Sequence, residues 1–389
     1  MVAAPESLAE AYERFIGPHS DDAVVARAPG RIEVLGNHTD YNGGRMLSAT
    51  IDRFVWTLGV AADEVCLHSA QLDGDAVFSP DEIEPVTEEG WSKYVRGLYW
   101  SFDRRKHRVR GFRGVVSGDV PIGAGLGSSA ALSVSLANAI ALASEQKLNP
   151  KALAMLAFES ERIFCRVPCG IQDQFTSQLG KENSLLAIYS SRLLTQHVPA
   201  PDGIDFLVIN SMISRYADKV LTARREECRQ ALAALNEAGF ALWNLSTIAP
   251  EDLAAVEEIL DEPLSLRVKH IVGENSRVVR GVEALNAGDL TLFGELMNDS
   301  HESSKELYDV SHPNLDMLVT ILRSKDSVVG ARLTGAGLGG SVIAAVRRGL
   351  SADAGRSTLE DYERESGILG ERYLCNIPGG VAANRVSDL

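Results

Sequence analysis

The chain has 389 residues, of which 45% are hydrophobic and 23% are charged, and its formal net charge at pH 7 is −15. This content is sufficient for two domains with hydrophobic cores of ordinary size. The acidic balance argues against a nucleic-acid partner or an anionic membrane surface, because no basic surplus can neutralise phosphates over a large face, and we expect the one basic run, at residues 104–110, to be solvated surface.

The five cysteines are scattered, and the one close pair, Cys165 and Cys169, has no second pair to complete a zinc site. We therefore expect reduced thiols in a cytoplasmic protein. The first residues lack a basic segment followed by an apolar one, and no run of 18 apolar residues occurs. The sequence therefore predicts neither secretion by that route nor a membrane span, and we expect a monomer.

The N-terminal third predicts a helix followed by a sheet. Apolar residues recur at helical spacing over residues 6–16, and Gly17-Pro18 ends that pattern. The β-branched segment at 24–36 contains Pro29-Gly30 and predicts strand, turn, strand. Further strands of the same sheet are predicted at 46–62 and 65–69, and an amphipathic helix at 91–100.

A polar cluster lies at the end of the first strand segment. Arg31, His38 and Asp40 precede the turn sequence Asn42-Gly43-Gly44. A plain hairpin explains the turn but not the three polar residues. A carboxylate can accept from adjacent hydroxyls and an imidazole can donate to them, so the cluster indicates a sugar site.

The most informative stretch is residues 121–131, PIGAGLGSSAA, which leads directly into an apolar helical pattern. Gly123, Gly125 and Gly127 on alternate positions allow positive φ and a close approach of backbone to a ligand. The helix that follows directs unsatisfied N–H groups and the positive end of its dipole at the same place. The stretch predicts an anion site of the kind that binds phosphates.

Two alternatives exist for this loop. Ser128 and Ser129 could serve only to cap the helix. The alternate glycines could also belong to a dinucleotide-binding loop, although such a loop follows a strand directly and Pro121 interrupts the apolar run here. A P-loop is excluded, because its lysine is missing.

The second half predicts more helix and one more glycine-rich turn. Four glycines within residues 335–340 join two strand patterns and require a close backbone approach to a ligand or to another loop. We place a domain boundary between residues 203 and 204, giving domains 1–203 and 204–389. The other predicted elements are a helix at 151–161, a strand at 204–211, a mostly helical region at 250–323 and a closing strand at 372–375.

Three segments together carry a resemblance to the galactokinase family of the GHMP kinases. Residues 121–131 resemble its ATP loop, P-x-x-x-G-L-G-S-S-A-A, and residues 30–44 resemble its signature G-R-[IV]-x-[LV]-[IL]-G-E-H-T-D-Y-N-G-G. Residues 167–175, VPCGIQDQF, are similar to V-P-C-G-I-M-D-Q-F. The resemblance runs from about residue 26 to about residue 380. It implies an α+β, two-domain fold with mixed sheets covered by helices and the active site between the domains.

The resemblance also implies ATP-dependent phosphorylation of a sugar at its anomeric hydroxyl, with Mg²⁺ as cofactor. Asp173 would face the reacting hydroxyl, with Arg31 near the γ-phosphate, and Ser129 and Glu161 would bind the metal. Galactose is the expected sugar. The residues implied to bind ATP are Gly123, Ala124, Gly125, Leu126, Gly127, Ser128 and Ser129.

The sugar site departs from the family pattern twice. Asn37 stands where the family has Glu, and Leu221 stands where it has a tyrosine, while His38, Asp40 and Gly170 match. A neutral amide at the position that meets the 6-hydroxyl would tolerate a carboxylate there. We therefore keep galacturonate, N-acetylgalactosamine and similar sugars as alternatives. A non-catalytic sugar and ATP sensor is a further alternative, although the residues of the transfer apparatus are all present.

Overall fold

The computed structural model of the chain describes residues 5–18, 21–72, 74–81, 83, 90–214 and 217–386. Its strands are β1 (Val24–Leu35), β2 (Arg45–Ala62), β3 (Val65–Ser69), β4 (Asp75–Phe78), β5 (Gly111–Gly118), β6 (Ser184–Tyr189), β7 (Leu194–Pro199), β8 (Ile204–Asn210), β9 (Val328–Leu333), β10 (Ser341–Arg347), β11 (Glu371–Cys375) and β12 (Ala382–Arg385). Its α-helices are α1 (Glu6–Phe15), α2 (Ser92–Arg104), α3 (Ser128–Ala143), α4 (Pro150–Glu159), α5 (Gln172–Leu179), α6 (Ala217–Glu237), α7 (Leu253–Ile259), α8 (Leu264–Ala287), α9 (Leu290–Glu302), α10 (Pro313–Arg323) and α11 (Ser351–Ser366).

The strands form two sheets. The first has the order β12-β1-β2-β5-β3-β4, with β6 paired to β2 and β7 to β6, and its β3–β5 pair is parallel within an otherwise antiparallel sheet. The second has the antiparallel order β11-β8-β10-β9. The predicted mixed α+β architecture is confirmed. The chain passes from the first sheet to the second between β7 and β8, but β12 pairs with β1 and so returns the last strand to the first sheet.

The first strand differs from its prediction. We expected a turn at Pro29-Gly30, but β1 continues through both residues and takes up a register shift against β2 between Pro29 and Arg31. A bulge of this kind bends a strand without ending it. A Cβ on Gly30 would lie 2.8 Å from the Leu126 carbonyl oxygen, so the glycine lets β1 pass directly beneath the loop that precedes α3.

Helix α3 is buried along most of its length, because it packs against β1 and β2 on one side and against α2, α4 and α5 on the others. Its apolar residues therefore surround the whole helix rather than one stripe. The hydroxyl of Ser135 is satisfied inside the core by the carbonyl of Ala26 at 3.2 Å and by Oγ1 of Thr57 at 2.9 Å. The beginning of α3 is thus held by a rigid core.

The basic run at residues 104–110 lies on the surface, as expected from the sequence, since Arg104, Lys106 and Arg108 are exposed. All five cysteines lie within the described residues and none is paired in a disulfide. Among the helices that the structure describes, none combines the length and the apolar character needed to cross a membrane.

One buried arginine joins the two sheets. The side chain of Arg332, on β9, is fully buried, and it donates to the Val34 carbonyl at 3.1 Å and to Oε1 of Glu33 at 3.3 Å. Thr334 continues the contact, because its hydroxyl accepts from the Glu33 amide at 2.8 Å. These bonds fix the end of β1 relative to the second sheet, and this is the strand that carries Arg31.

We expect Arg332→Met to lower the free energy of unfolding by about 3–5 kcal/mol, because it leaves the buried Glu33 carboxylate without its cation. The midpoint of urea unfolding measures the loss. The control is Arg364→Met, which removes an exposed pair with Asp361 on α11 and should leave the midpoint unchanged. Equal midpoints for both variants would mean that Arg332 does not stabilise the contact between the sheets.

Candidate active site

The end of β1, the loop before α3, the segment before α5 and the turn between β9 and β10 enclose a cavity of about 890 Å³. This volume is typical of a small-molecule site. All but one of the predicted site residues line it: Arg31, His38, Asp40, Gly123, Ala124, Gly125, Leu126, Gly127, Ser128, Ser129, Glu161, Gly170, Asp173 and Leu221. The fold therefore brings together residues that are up to 190 positions apart in the sequence. Asn37 is the exception.

The glycine loop has the backbone that its sequence predicts. Gly123, Gly125 and Gly127 have φ angles of 78°, 85° and 76°. Gly127 is the N-cap of α3, and no side chain caps the helix, so Ser128 and Ser129 are its first two residues rather than its cap. The N–H groups of the first helical turn are therefore left for a ligand, and an anion is the ligand that such a terminus favours.

The carbonyl groups of the same loop are bound by the protein. Gly125 accepts from Nη1 of Arg31 at 2.5 Å, and Ala124 accepts from the hydroxyl of Ser341 at 2.8 Å. A Cβ on Gly335, in the glycine-rich turn at 335–340, would lie 2.8 Å from the Gly125 oxygen. This turn therefore packs against the glycine loop, which is the close backbone approach that its four glycines predicted.

Arg31 and Asp173 form a bidentate ion pair inside the cavity. Nε of Arg31 donates to Oδ1 at 2.7 Å and Nη2 donates to Oδ2 at 2.5 Å, and the carboxylate lies in the first turn of α5. Burial opposes the charge of Arg31, yet the adjacent Asp173 raises the pKa of the guanidinium above its usual value. The side chain of Asp173 is 27% exposed, so one carboxylate remains accessible to a ligand beside a fixed positive charge.

Glu161 is a buried carboxylate near the start of α3. It lies in the π-helical segment Ser160–Phe164 that follows α4, and its Oε1 accepts from Nε2 of Gln174 at 2.9 Å. The pKa of Glu161 is raised to about 7, mainly by burial and also by the charge of Asp173, while hydrogen bonds from Gln174 and Ser129 oppose the shift. Within the described residues, no Lys or Arg forms an ion pair with Glu161. A buried carboxylate beside a serine hydroxyl is a set of hard oxygen ligands that suits Mg²⁺.

Asp40 and Gly170 are in close contact. Oδ1 of Asp40 accepts from the Tyr41 amide at 2.8 Å, while a Cβ on Gly170 would fall only 1.7 Å from Oδ2. The pKa of Asp40 is raised to about 6, mainly by burial and also by the charge of Asp173, while the charge of Arg225 opposes the shift. The site therefore concentrates negative charge on one wall, which suits ligands that donate hydrogen bonds.

His38 is buried beside the cavity and has a φ of 59°. Its Nδ1 lies 3.0 Å from the Tyr41 hydroxyl and its Nε2 lies 3.2 Å from the Ala336 carbonyl, while the ring stacks on Tyr308 at 4.9 Å. The pKa of His38 is lowered to about 3, mainly by burial and also by His270. The ring is therefore neutral at pH 7, and since Ala336 can only accept, Nε2 carries the hydrogen.

Asn37 lies behind the cavity wall instead of facing a sugar as expected. Its side chain is fully buried, and Nδ2 donates to Oε1 of Glu33 at 2.7 Å and to the Gly335 carbonyl at 2.9 Å. Oδ1 accepts from the Ser304 hydroxyl at 2.9 Å. The amide is turned inward because each of its hydrogen-bonding groups has a protein partner there, which leaves none for a ligand.

Sequence reasoning missed several residues of this site. Glu33 lines the cavity, and the signal was available, since residues two apart on a strand share a face and Arg31 was already assigned to the site. Arg225 places its guanidinium over the Tyr41 ring, 4.4 Å from the centroid. Tyr308, whose hydroxyl is 2.9 Å from that of Tyr41, comes from a segment 267 positions away and has no local signal.

Comparison with known proteins identifies the family. Residues 10–59 match the galactokinase galactose-binding signature, residues 93–181 the GHMP kinases N terminal domain and residues 282–363 the GHMP kinases C terminal domain. The chain is 35% identical over 384 residues to a galactokinase of Roseiflexus sp. strain RS-1, covering 98% of this chain and 97% of that relative. The chain belongs to the galactokinase family of the GHMP kinases.

The structural comparison agrees with this family. A Lactococcus lactis galactokinase, solved in complex with galactose, matches with a TM-score of 0.93 and 29% identity over 97% of this chain and 98% of the other. The Methanococcus jannaschii mevalonate kinase, with a TM-score of 0.63 and 21% identity over 93% of this chain and 99% of the other, shows the shared fold alone. The predicted GHMP kinase fold and sugar kinase class are confirmed, and the dinucleotide alternative is wrong. The monomeric state and the cytoplasmic location stay predictions.

We expect Gly170→Ala to raise the KM for the sugar at least tenfold, because the new methyl group would occupy the position of Asp40 Oδ2. The KM for ATP should change little, since the glycine loop is untouched. Steady-state kinetics with each substrate varied in turn separates the two effects. The control is Gly379→Ala, where nothing lies within 4 Å of the added Cβ. A parallel rise in both KM values would indicate a general distortion of the site.

Proposed function

We propose that this kinase transfers the γ-phosphoryl group of ATP to the anomeric hydroxyl of galactose, giving galactose 1-phosphate and ADP. The observation that carries the proposal is the Arg31–Asp173 pair, with separations of 2.7 and 2.5 Å, which lies in one cavity between the glycine loop and the polar wall around Asp40. Relatives that bear the name galactokinase over most of this chain, and the matching structure with galactose, support the choice of sugar.

ATP is proposed to place its phosphates on the glycine loop. The positive φ of the loop glycines lets its backbone approach the phosphates, and the uncapped start of α3 supplies N–H donors, while the carbonyls of Gly125 and Ala124 are bound by Arg31 and Ser341. Phosphoryl transfer asks a protein mainly for alignment and for neutralisation of the charge on the transferring group. The net charge of −15 is no obstacle, because the field at the loop is set locally by these donors and by Arg31.

Asp173 is proposed to bind and orient the hydroxyl that attacks. Its carboxylate is held on both oxygens by Arg31 and is partly exposed to the cavity, so it can accept the hydroxyl proton while Arg31 stays beside the phosphoryl group. Because a bidentate Arg–carboxylate pair has a fixed geometry, the hydroxyl oxygen would be aligned with little motion. Asp40, on the adjacent wall, would accept from a ring hydroxyl.

Ser129 and Glu161 are proposed to hold Mg²⁺. The fit rests on the chemistry of the two groups: a serine hydroxyl in the first turn of α3 and a buried carboxylate with no basic ion-pair partner among the described residues. The ion would neutralise phosphate charge when bound. In the chain itself, Gln174 fixes the Glu161 carboxylate in place through its 2.9 Å hydrogen bond.

A kinase for a 6-carboxylate sugar was the alternative suggested by Asn37. Because that amide is buried and fully bonded, the observation that favoured this alternative no longer supports it. The cavity wall instead carries the carboxyl groups of Glu33 and Asp40, which would repel an anionic sugar.

We expect Asp173→Asn to lower kcat by about 10²–10⁴-fold while the KM for galactose changes less than about tenfold, since general acid–base groups contribute on that scale. Coupled measurement of ADP release tests this, and thermal unfolding verifies that the variant folds. Asp103→Asn, on the exposed face of α2, is the control for loss of one negative charge. A fall in kcat of less than tenfold would remove Asp173 from the reacting centre.

Ser129→Ala and Glu161→Gln should each raise the Mg²⁺ concentration needed for half-maximal activity without changing the preferred sugar. The unfolding temperature gives a second readout, which does not depend on enzyme turnover. Because the folded pKa of Glu161, about 7, lies above the ordinary value of 4.5 for a glutamate, its contribution to stability is present at low pH and is lost as pH rises through 7. At pH 8 without metal, Glu161→Gln should therefore unfold at a higher temperature than wild type, and added Mg²⁺ should narrow this difference.

The control for the metal prediction is Glu159→Gln, two residues earlier, which removes a carboxylate paired with Arg105 at 2.8 Å on the outer side of α4. This variant should keep the wild-type metal titration. If Ser129→Ala and Glu161→Gln also keep it, neither residue binds the metal.

A further inference from the structure

The proposed reaction leaves one carboxylate of the cavity without a role. Glu33 lies two residues after Arg31 on β1, lines the same cavity and is 5% exposed. Residues i and i+2 of a strand project from the same face, so both side chains reach the site from one strand. A buried carboxylate is costly unless it is paired and hydrogen-bonded, and the pairing of Glu33 with Arg332 involves only Oε1.

The surroundings of Glu33 hold it in one position. Its Oε1 accepts from Nδ2 of Asn37 at 2.7 Å and from Nη2 of Arg332 at 3.3 Å. Its amide donates to Thr334 at 2.8 Å. Among the described residues, no donor bonds to Oε2, and this oxygen is not among the buried polar atoms that lack a partner. One oxygen is therefore anchored from behind, and the other is accessible from the cavity.

Asn37 serves as one of the two anchors. The Gly335 carbonyl can only accept, so the amide nitrogen of Asn37 must face it, and the second hydrogen of that nitrogen then points to Glu33. The amide oxygen is occupied by Ser304. Asn37 can hold a carboxylate but cannot itself reach a sugar.

We propose that Glu33 is a specificity-determining residue, which accepts a hydrogen bond from one hydroxyl of the sugar, and that Asn37 is its positioning residue. The proposal rests on the proposed function. It means that a carboxylate is present on this part of the site although residue 37 is an amide, and that Glu33 supplies it four positions earlier in the chain. A hydrogen bond to a charged acceptor is worth about ten- to a hundredfold in affinity.

The test is a set of thermodynamic binding cycles. Each cycle compares wild type with Glu33→Gln in binding galactose and a deoxygalactose that lacks one hydroxyl. Galactose binding, measured by calorimetry with a non-hydrolysable ATP analogue, should weaken ten- to a hundredfold in the variant. The 2-, 3-, 4- and 6-deoxygalactoses should all bind wild type less tightly. For the deoxygalactose that lacks the hydroxyl bonded to Glu33, the Glu33→Gln substitution should weaken binding less than threefold further. For the other three deoxygalactoses, it should weaken binding by the full ten- to a hundredfold.

Asn37→Ala should reproduce the same pattern at smaller amplitude, with the same deoxy sugar insensitive to the change. If Glu33→Gln does not fold, Asn37→Ala serves as the test of the proposal in its place. Glu274→Gln is the matched control, because this carboxylate is equally buried but lies outside the cavity lining. It accepts from the main-chain N–H of Asn37 at 2.9 Å and pairs with Arg277 at 2.5 Å. It should lower the unfolding temperature and leave the ranking of the four deoxy sugars unchanged.

The outcomes separate the two proposals. A uniform loss across all five sugars in Glu33→Gln, or no loss, overturns the role of Glu33. Galactose that binds wild type but is never phosphorylated overturns the proposed function while the binding cycles still decide the role of Glu33. Absence of galactose binding by folded wild-type protein overturns both.

Discussion

The site depends on one buried guanidinium. Arg31 binds both oxygens of Asp173, the carbonyl of Gly125 and, through its own main-chain amide, the carbonyl of Leu126, so a single residue connects the carboxylate proposed to bind the sugar hydroxyl to the glycine loop. Burial lowers the pKa of such a group, and the adjacent carboxylate more than offsets this effect, so the pKa of Arg31 is raised. Because the bonds to Asp173 and Gly125 come from one planar side chain, the carboxylate and the glycine loop have a fixed relation.

Glycines make this connection possible by allowing backbones to approach closely. A side chain at Gly30 would meet the Leu126 oxygen, one at Gly335 would meet the Gly125 oxygen, and one at Gly170 would overlap Asp40. Each of these glycines is needed because an atom of a neighbouring segment occupies the space that a side chain would fill, and only some of them also have a positive φ. The three glycine-containing segments are far apart in the chain and meet only in the folded protein.

The electrostatics of the cavity are produced by burial. Glu33, Asp40 and Glu161 all have pKa values raised by desolvation, to about 7, 6 and 7, in a protein whose net charge is −15. Such a cluster is stabilised by ligands that donate hydrogen bonds or carry positive charge. A sugar would supply the first, and the proposed Mg²⁺ would supply the second.

The sequence by itself determined the glycine loop, the sugar signature, the family and a set of site residues of which all but Asn37 line the cavity, because these are short motifs whose chemistry depends on local spacing. It also predicted most elements, since their apolar periodicity is strong. Only the tertiary structure decided that β1 runs through Pro29-Gly30 and that Asn37 is turned away from the cavity while Glu33 faces it. The orientations of Asn37 and Glu33 depend on partners such as Ser304 and Arg332, which lie roughly 270–300 residues further along the chain. No local sequence pattern encodes which of these two polar residues such a distant partner binds.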